Sequence, residues 1–95
     1  MTDPTLLILA SLAHGDQHGY AMVADIEDFA GVHLGPGTLY GAITRLEQRG
    51  LIRPVQSSDR RQPYRITAAG RHHLQEQLAG LEQIVRTGQR RLRNA

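Results

Sequence analysis

The chain has 95 residues, a formal net charge of +2 and a pI near 9.7, with 40% hydrophobic and 21% charged residues. These values describe one small globular domain and exclude a disordered or membrane-spanning class. There is no cysteine, which excludes disulfides, thiolate metal sites and thiol nucleophiles.

A domain of this size buries somewhat more than ~60% of its unfolded surface, so a partner subunit is a natural source of extra core. All 11 basic side chains are Arg, whose planar fork suits phosphate and base-edge recognition. A genome-wide composition bias accounts for the absence of Lys equally well.

Asp3 followed by Pro4 is a helix start, a capping side chain ahead of Pro at the first helical position. The apolar run Leu6 to Ala10 has no basic segment before it and is too short to cross a bilayer, so a soluble cytoplasmic protein is expected. Leu12 and Ala13 extend the apolar surface to more than one face, which predicts burial on two sides, against its own domain and against something else, and Gly15 is the expected stop.

The second helix starts at His18-Gly19-Tyr20 and carries Met22, Val23, Ile26, Phe29 and Ala30 as its apolar stripe. Gly31 ends it. Asp25, Glu27 and Asp28 lie mostly off the stripe and read as a solvated acidic face.

The third helix is predicted from Pro36 to about Arg49, with Leu39, Ile43 and Leu46 at the spacing of one buried face and Gly50 as its left-handed cap. Gly37, Gly41, Thr44 and Gln48 cluster opposite, with Arg45 beside them and Tyr40 on the flank. Two glycines on an exposed helical face cost roughly 1 kcal/mol each relative to Ala, which points to a close approach by something outside.

Residues 51–56 read as a strand that is an edge or ends at Pro54, because Pro cannot donate to a ladder. Ser57-Ser58-Asp59 is turn chemistry, and residues 63–67 return with Tyr64 and Ile66 on one face and Arg65 on the other. The unit is a β-hairpin with Arg60 and Arg61 at its tip. Thr67 is the expected cap of a long helix from Ala68 to about Arg91, interrupted at Gly80. Leu74, Leu78, Leu81 and Val85 step by 4, 3 and 4, a heptad-type seam that Leu92 rejoins and that a second copy of the chain would cover.

The order helix, helix, helix, hairpin, helix is that of a winged helix-turn-helix domain, mainly α with a small β-hairpin. The expected division is a DNA-binding domain over 1–67 and a C-terminal dimerisation helix over 68–95, in one compact unit. In that layout the third helix enters the major groove and the wing reaches the flanking backbone of double-stranded DNA. Thr44, Arg45 and Gln48 have the chemistry to read base edges. Gly37 and Gly41 would let the backbone near phosphate, and Tyr40 can donate to it. Arg60 and Arg61 become phosphate or minor-groove contacts, with Arg53 and Arg65 weaker candidates.

Other chemistry has little support. The histidines do not share a helical face with further ligands, so no metal or other cofactor is assigned. Ser11, Ser57 and Ser58 lack a nucleophile context, and Gly35-Pro36-Gly37 lacks the Lys of a phosphate-binding loop, so the chain does not read as an enzyme. The alternative is a winged-helix protein-interaction module without DNA contact. Arg45, Arg49, Arg60 and Arg61 count against it.

The stretches LGPGTLYGAITRLEQRGLI and RRQPYRITAAG, with the opening LLILASLAHGDQHGYAM, resemble the PadR-like family of winged helix-turn-helix transcriptional regulators. MarR-like regulators match this spacing less well. The resemblance implies a homodimeric transcription factor, often a repressor, on a roughly palindromic operator. It also implies that Thr38, Leu39 and Tyr40 are the family's T-L-Y, with Leu39 facing the core. On the same basis Arg60 and Arg61 are the wing arginines, and Leu74, Leu78, Leu81 and Val85 form the dimer helix, packed with Leu6 and Leu9. Two departures stand out: Gly35 where the family commonly has Ser, and Gly41 where it commonly has Pro. Some members take small-molecule effectors, but three Tyr, one Phe and no Trp offer little to stack on a flat ligand, so an effector is left unassigned.

Overall fold

The computed structural model describes residues 3–95. Helix α1 (Pro4–Leu12) is opened by Asp3, whose carboxylate accepts from the Thr5 amide at 3.0 Å. A two-residue strand β1 (Gln17–His18) precedes α2 (Gly19–Ala30), which Gly31 closes at φ +67°. Helix α3 (Pro36–Gln48) follows a Gly35 cap that offers no side-chain hydrogen bond. Strands β2 (Ile52–Pro54) and β3 (Pro63–Ile66) lead to the long α4 (Ala68–Arg93). No helix is long and apolar enough to cross a membrane among the described residues.

Helix α3 ends in a paired Schellman closure: Leu51 N–H donates to the Leu46 carbonyl and Gly50 N–H to that of Glu47, both at 3.0 Å. Gly50 sits at φ +72°, a conformation that a side chain would strain. This turn aims the chain from α3 straight into the wing.

The sheet is antiparallel in the order β1-β3-β2, so the predicted hairpin is only part of it. Gln17 pairs with Tyr64 and His18 with Pro63, and Ile52, Arg53 and Pro54 pair with Ile66, Arg65 and Tyr64. Strand β2 is an edge that ends at its proline, as the missing donor requires. Just beyond it, Val55 N–H donates to Pro63 O at 3.1 Å, and the Gln62 side chain donates to the carbonyls of Val55 and Pro63.

Helix α1 occupies the centre. Ile8, Leu9 and Leu12 meet Met22 and Ile26 of α2, Leu39, Ala42, Ile43 and Leu46 of α3, the wing residues Leu51, Ile52 and Ile66, and Leu74 of α4. Its apolar character on several faces is explained by these neighbours within one chain: α1 packs against α2, α3, β3 and α4. The one buried polar side chain of the described core, Ser11, donates to Asp25 at 2.7 Å and accepts from Gln17 at 2.9 Å. Asp25 is therefore a structural acceptor, which corrects its reading as part of a solvated face.

Three further expectations change. Helix α4 runs unbroken through Gly80 and Gly88. Phe29 is half exposed and leaves the α2 stripe to Met22, Val23 and Ile26. Leu9 and Leu74, assigned to a dimer interface, are 1% and 6% exposed within the single chain. Their surface is consumed by their own core. Leu78, Leu81, Ile84, Val85 and Leu92 are exposed on the part of α4 that extends past the domain, giving a molecule 56 Å long and 26 by 21 Å across.

Candidate nucleic-acid interface

The residues expected to meet DNA gather on α3 and at the wing tip. Gly37, Thr38, Tyr40, Thr44, Arg45 and Gln48 are all exposed, while Leu39, Ala42, Ile43 and Leu46 face the core. The Thr44 hydroxyl donates to the Tyr40 carbonyl at 2.9 Å, a local bond that a competing acceptor can replace. A Cβ added at Gly41 would meet only the Arg45 guanidinium, at 3.7 Å. The Arg45 side chain thus lies back along the helix over Gly41.

Tyr40 is tied to the start of α2. A Cβ on Gly19 would stand 2.8 Å from the Tyr40 hydroxyl oxygen and 3.2 Å from Leu39, so the Tyr40 ring lies against the first residue of α2. Tyr64 of β3 closes the same corner. Burial, followed by the Glu47 carboxylate and the Tyr40 phenol, pushes the Tyr64 hydroxyl above its ordinary pKa. The helix-turn-helix and the wing therefore share one junction.

The arginines divide sharply. Arg65 makes a forked contact with Asp16, Nε to Oδ1 at 2.9 Å and Nη2 to Oδ2 at 2.7 Å, which ties β3 to the turn before β1. The Arg65 hydrogen bonds hold the Asp16 carboxyl below the usual carboxylate range, against a small opposing effect of burial and with help from Arg65 and Arg53 charge. Arg71 donates to the Ala13 carbonyl at 3.2 Å and anchors α4 to the end of α1. By contrast Arg45, Arg53, Arg60 and Arg61 are exposed and pair with no carboxylate among the described residues. On α2, Glu27 is engaged by His33 and Asp25 by Ser11.

The sequence places His18 at the start of α2 but not beside Arg61. Its Nδ1 accepts from the Ala21 amide at 3.3 Å, capping α2, and its Nε2 lies 3.3 Å from Arg61 Nη1. The signal was present in the chain, since His18 directly precedes Gly19 at a helix start, but its link to Arg61 depends on a strand that the pattern did not announce. Among the described residues no group of three or more His, Asp or Glu side chains is placed to hold a metal ion.

A helix-turn-helix of α2 and α3, a basic wing and a trailing helix define a winged helix-turn-helix regulator. Residues 8–76 match the model of the Transcriptional regulator PadR-like family, and the chain belongs to that family.

Over 84 residues it is 36% identical to the transcriptional regulator Rv3488 of Mycobacterium tuberculosis, covering 85% of this chain and 78% of that protein. Over 82 residues it is 43% identical to an uncharacterised 37.1 kDa protein in a transposon of Streptomyces fradiae, covering 86% of this chain. It spans only 24% of the length of that relative. A PadR family transcription regulator from Clostridium difficile has the same fold, with a TM-score of 0.86, 24% identity, and coverage of 96% of this chain and 99% of that one.

Proposed function

We propose that the chain is a homodimeric, sequence-specific DNA-binding regulator that represses transcription in the cytoplasm from a roughly palindromic operator. The observation that carries this reading is the set of exposed arginines without carboxylate partners, Arg45 on α3 and Arg60 and Arg61 on the wing, beside the small and hydroxylic surface of Gly37, Thr38, Gly41 and Thr44. In the complex, Thr44, Arg45 and Gln48 read base edges, while Tyr40, Arg60 and Arg61 hold phosphates. The regulator does no chemistry on its ligand.

The second copy supplies the cover for Leu78, Leu81, Ile84 and Val85, together with the partly exposed Leu6 at the start of α1. The domain over 1–67 then reads DNA, and the segment over 68–95 sets the distance between two readers. Half-sites about one helical turn apart (~10 bp), or a multiple of it, match such a dimer.

Selection of bound sequences from a random duplex pool tests the reading. A recovered inverted repeat is the expected result. Arg45→Ala then relaxes preference at one position and costs about 1–3 kcal/mol if Arg45 grips guanine. Arg60→Ala weakens all sequences alike and makes the salt dependence shallower. A pool that shows no enrichment, with no salt-dependent binding to any duplex, removes DNA as the ligand and leaves the protein-interaction module.

A further inference from the structure

The contact between His18 and Arg61 has a property that its length conceals. A neutral imidazole has one donating and one accepting nitrogen. Here Nδ1 faces the Ala21 N–H, and Nε2 faces an Arg61 guanidinium that only donates. Both neighbours are donors, so one of the two contacts is unsatisfied in either tautomer.

The cap decides which one. Ala21 N–H is a backbone donor in the first turn of α2, where its alternative acceptors are few, and a lost cap destabilises a helix. Arg61 is exposed on the wing and is solvated whichever way it turns. Nδ1 therefore keeps its lone pair for the cap, and the proton resides on Nε2. In that tautomer two donors, Nε2–H of His18 and Nη1–H of Arg61, stand 3.3 Å apart.

We propose that His18 is a DNA-contacting residue, which with Arg61 grips a single phosphate of the backbone. The inference rests on the DNA-binding reading above and adds to it a contact from the start of α2. One phosphate oxygen accepts from both nitrogens at ordinary distances, and the anion relieves the donor–donor opposition that the free protein carries. The two residues come to the same point through the pairing of β1 with β3, in which His18 lies opposite Pro63. The Asp16 carboxylate nearby in the chain is turned to Arg65, which donates to both of its oxygens, and makes no bond to His18 or Arg61.

His18→Asn isolates the claim. Its side-chain oxygen takes over the cap on Ala21, since Asn is among the best N-cap residues, but it has nothing at the place of Nε2. The melting temperature is expected to stay at the wild-type value, while affinity for duplexes selected by the wild-type protein falls roughly tenfold, the loss of one charge-assisted hydrogen bond. The slope of affinity against salt should not change, because a neutral imidazole displaces no counterion, whereas Arg61→Ala lowers that slope by about one. In an Arg61→Ala background the His18→Asn loss should shrink, because the two donors share one acceptor.

Imidazole nitrogen shifts of the free protein provide a second measurement, with the proton expected on Nε2. Wild-type affinity in His18→Asn, full additivity with Arg61→Ala, or a proton found on Nδ1 overturns the proposal while leaving DNA binding itself intact. Failure of the wild-type protein to bind any duplex overturns both.

Discussion

A Cβ placed on Gly70 would stand 2.0 Å from the carbonyl oxygen of Leu51 and 2.8 Å from Ile66 Cγ1. Helix α4 lays its first turn directly on the backbone that links α3 to the wing. The same Leu51 carbonyl accepts from Thr67 N–H at 3.1 Å, and Thr67 Oγ1 donates to the Gly50 carbonyl at 2.7 Å while accepting from Gly70 N–H at 3.0 Å. Gly70→Ala cannot be relieved by a rotamer, because the obstacle is main chain. It is expected to lower unfolding free energy by at least about 2 kcal/mol, read from urea denaturation, with Ala69→Gly as a far milder control.

Asp16 and Arg65 set an acid limit on the sheet. The folded-state pKa of Asp16 lies below its unfolded value, so the pair stabilises the fold above the ordinary carboxylate range. That contribution disappears as pH falls through the lowered value. Both groups are well solvated, so the effect is modest and screened by salt. In Asp16→Asn, stability at neutral pH should drop slightly, and the decline below roughly pH 4 should be less steep than in wild type. Thermal melts across that range at low ionic strength read both changes.

Leu81 is 43% exposed on α4 and serves no contact that the monomer needs. Leu81→Arg is expected to leave helicity and the core intact while converting the proposed dimer to monomer in sedimentation velocity. Binding to a two-half-site duplex should fall with it, because a linked pair gains its affinity from the second, intramolecular contact.

Gly41 gives a prediction of opposite signs. Nothing but the Arg45 guanidinium, at van der Waals distance, meets an added methyl, so Gly41→Ala should stabilise the free protein by roughly 0.5–1 kcal/mol. In the proposed complex that methyl faces the groove and holds the helix backbone away from it, and affinity for selected duplexes should decline. Paired melting and binding titrations would show the two effects together.

The sequence displayed its helices plainly because their signals are local. Asp3-Pro4, Gly31, Gly35-Pro36, Gly50 and Thr67 each act within one turn of the chain, and the structure uses every one as a terminus or cap. Strand β1 carried no such signal. Gln17 and His18 have neither alternation nor β-branching and are extended only because β3 lies beside them. The same limit applies to burial. Leu74 looks like a seam residue by spacing and Leu9 joins it through the family resemblance, yet neither says whether the cover comes from the same chain. On the candidate DNA face, the residue types were readable from the third helix, while the position of Arg45 over Gly41 and the meeting of His18 with Arg61 arise from folding alone.

Because β1 is hydrogen-bonded into the wing, the chain entering α2 and the strand leaving the wing tip form one stiff body with α3. In the proposed complex this body would carry both points of contact with DNA, α3 and the wing tip. It would tolerate base changes under α3 far better than an inserted or deleted base pair between the groove it fills and the backbone its wing touches. Any adjustment to spacing would have to occur elsewhere, in the protruding arm of α4, where Gly80 and Gly88 make the helix easiest to bend.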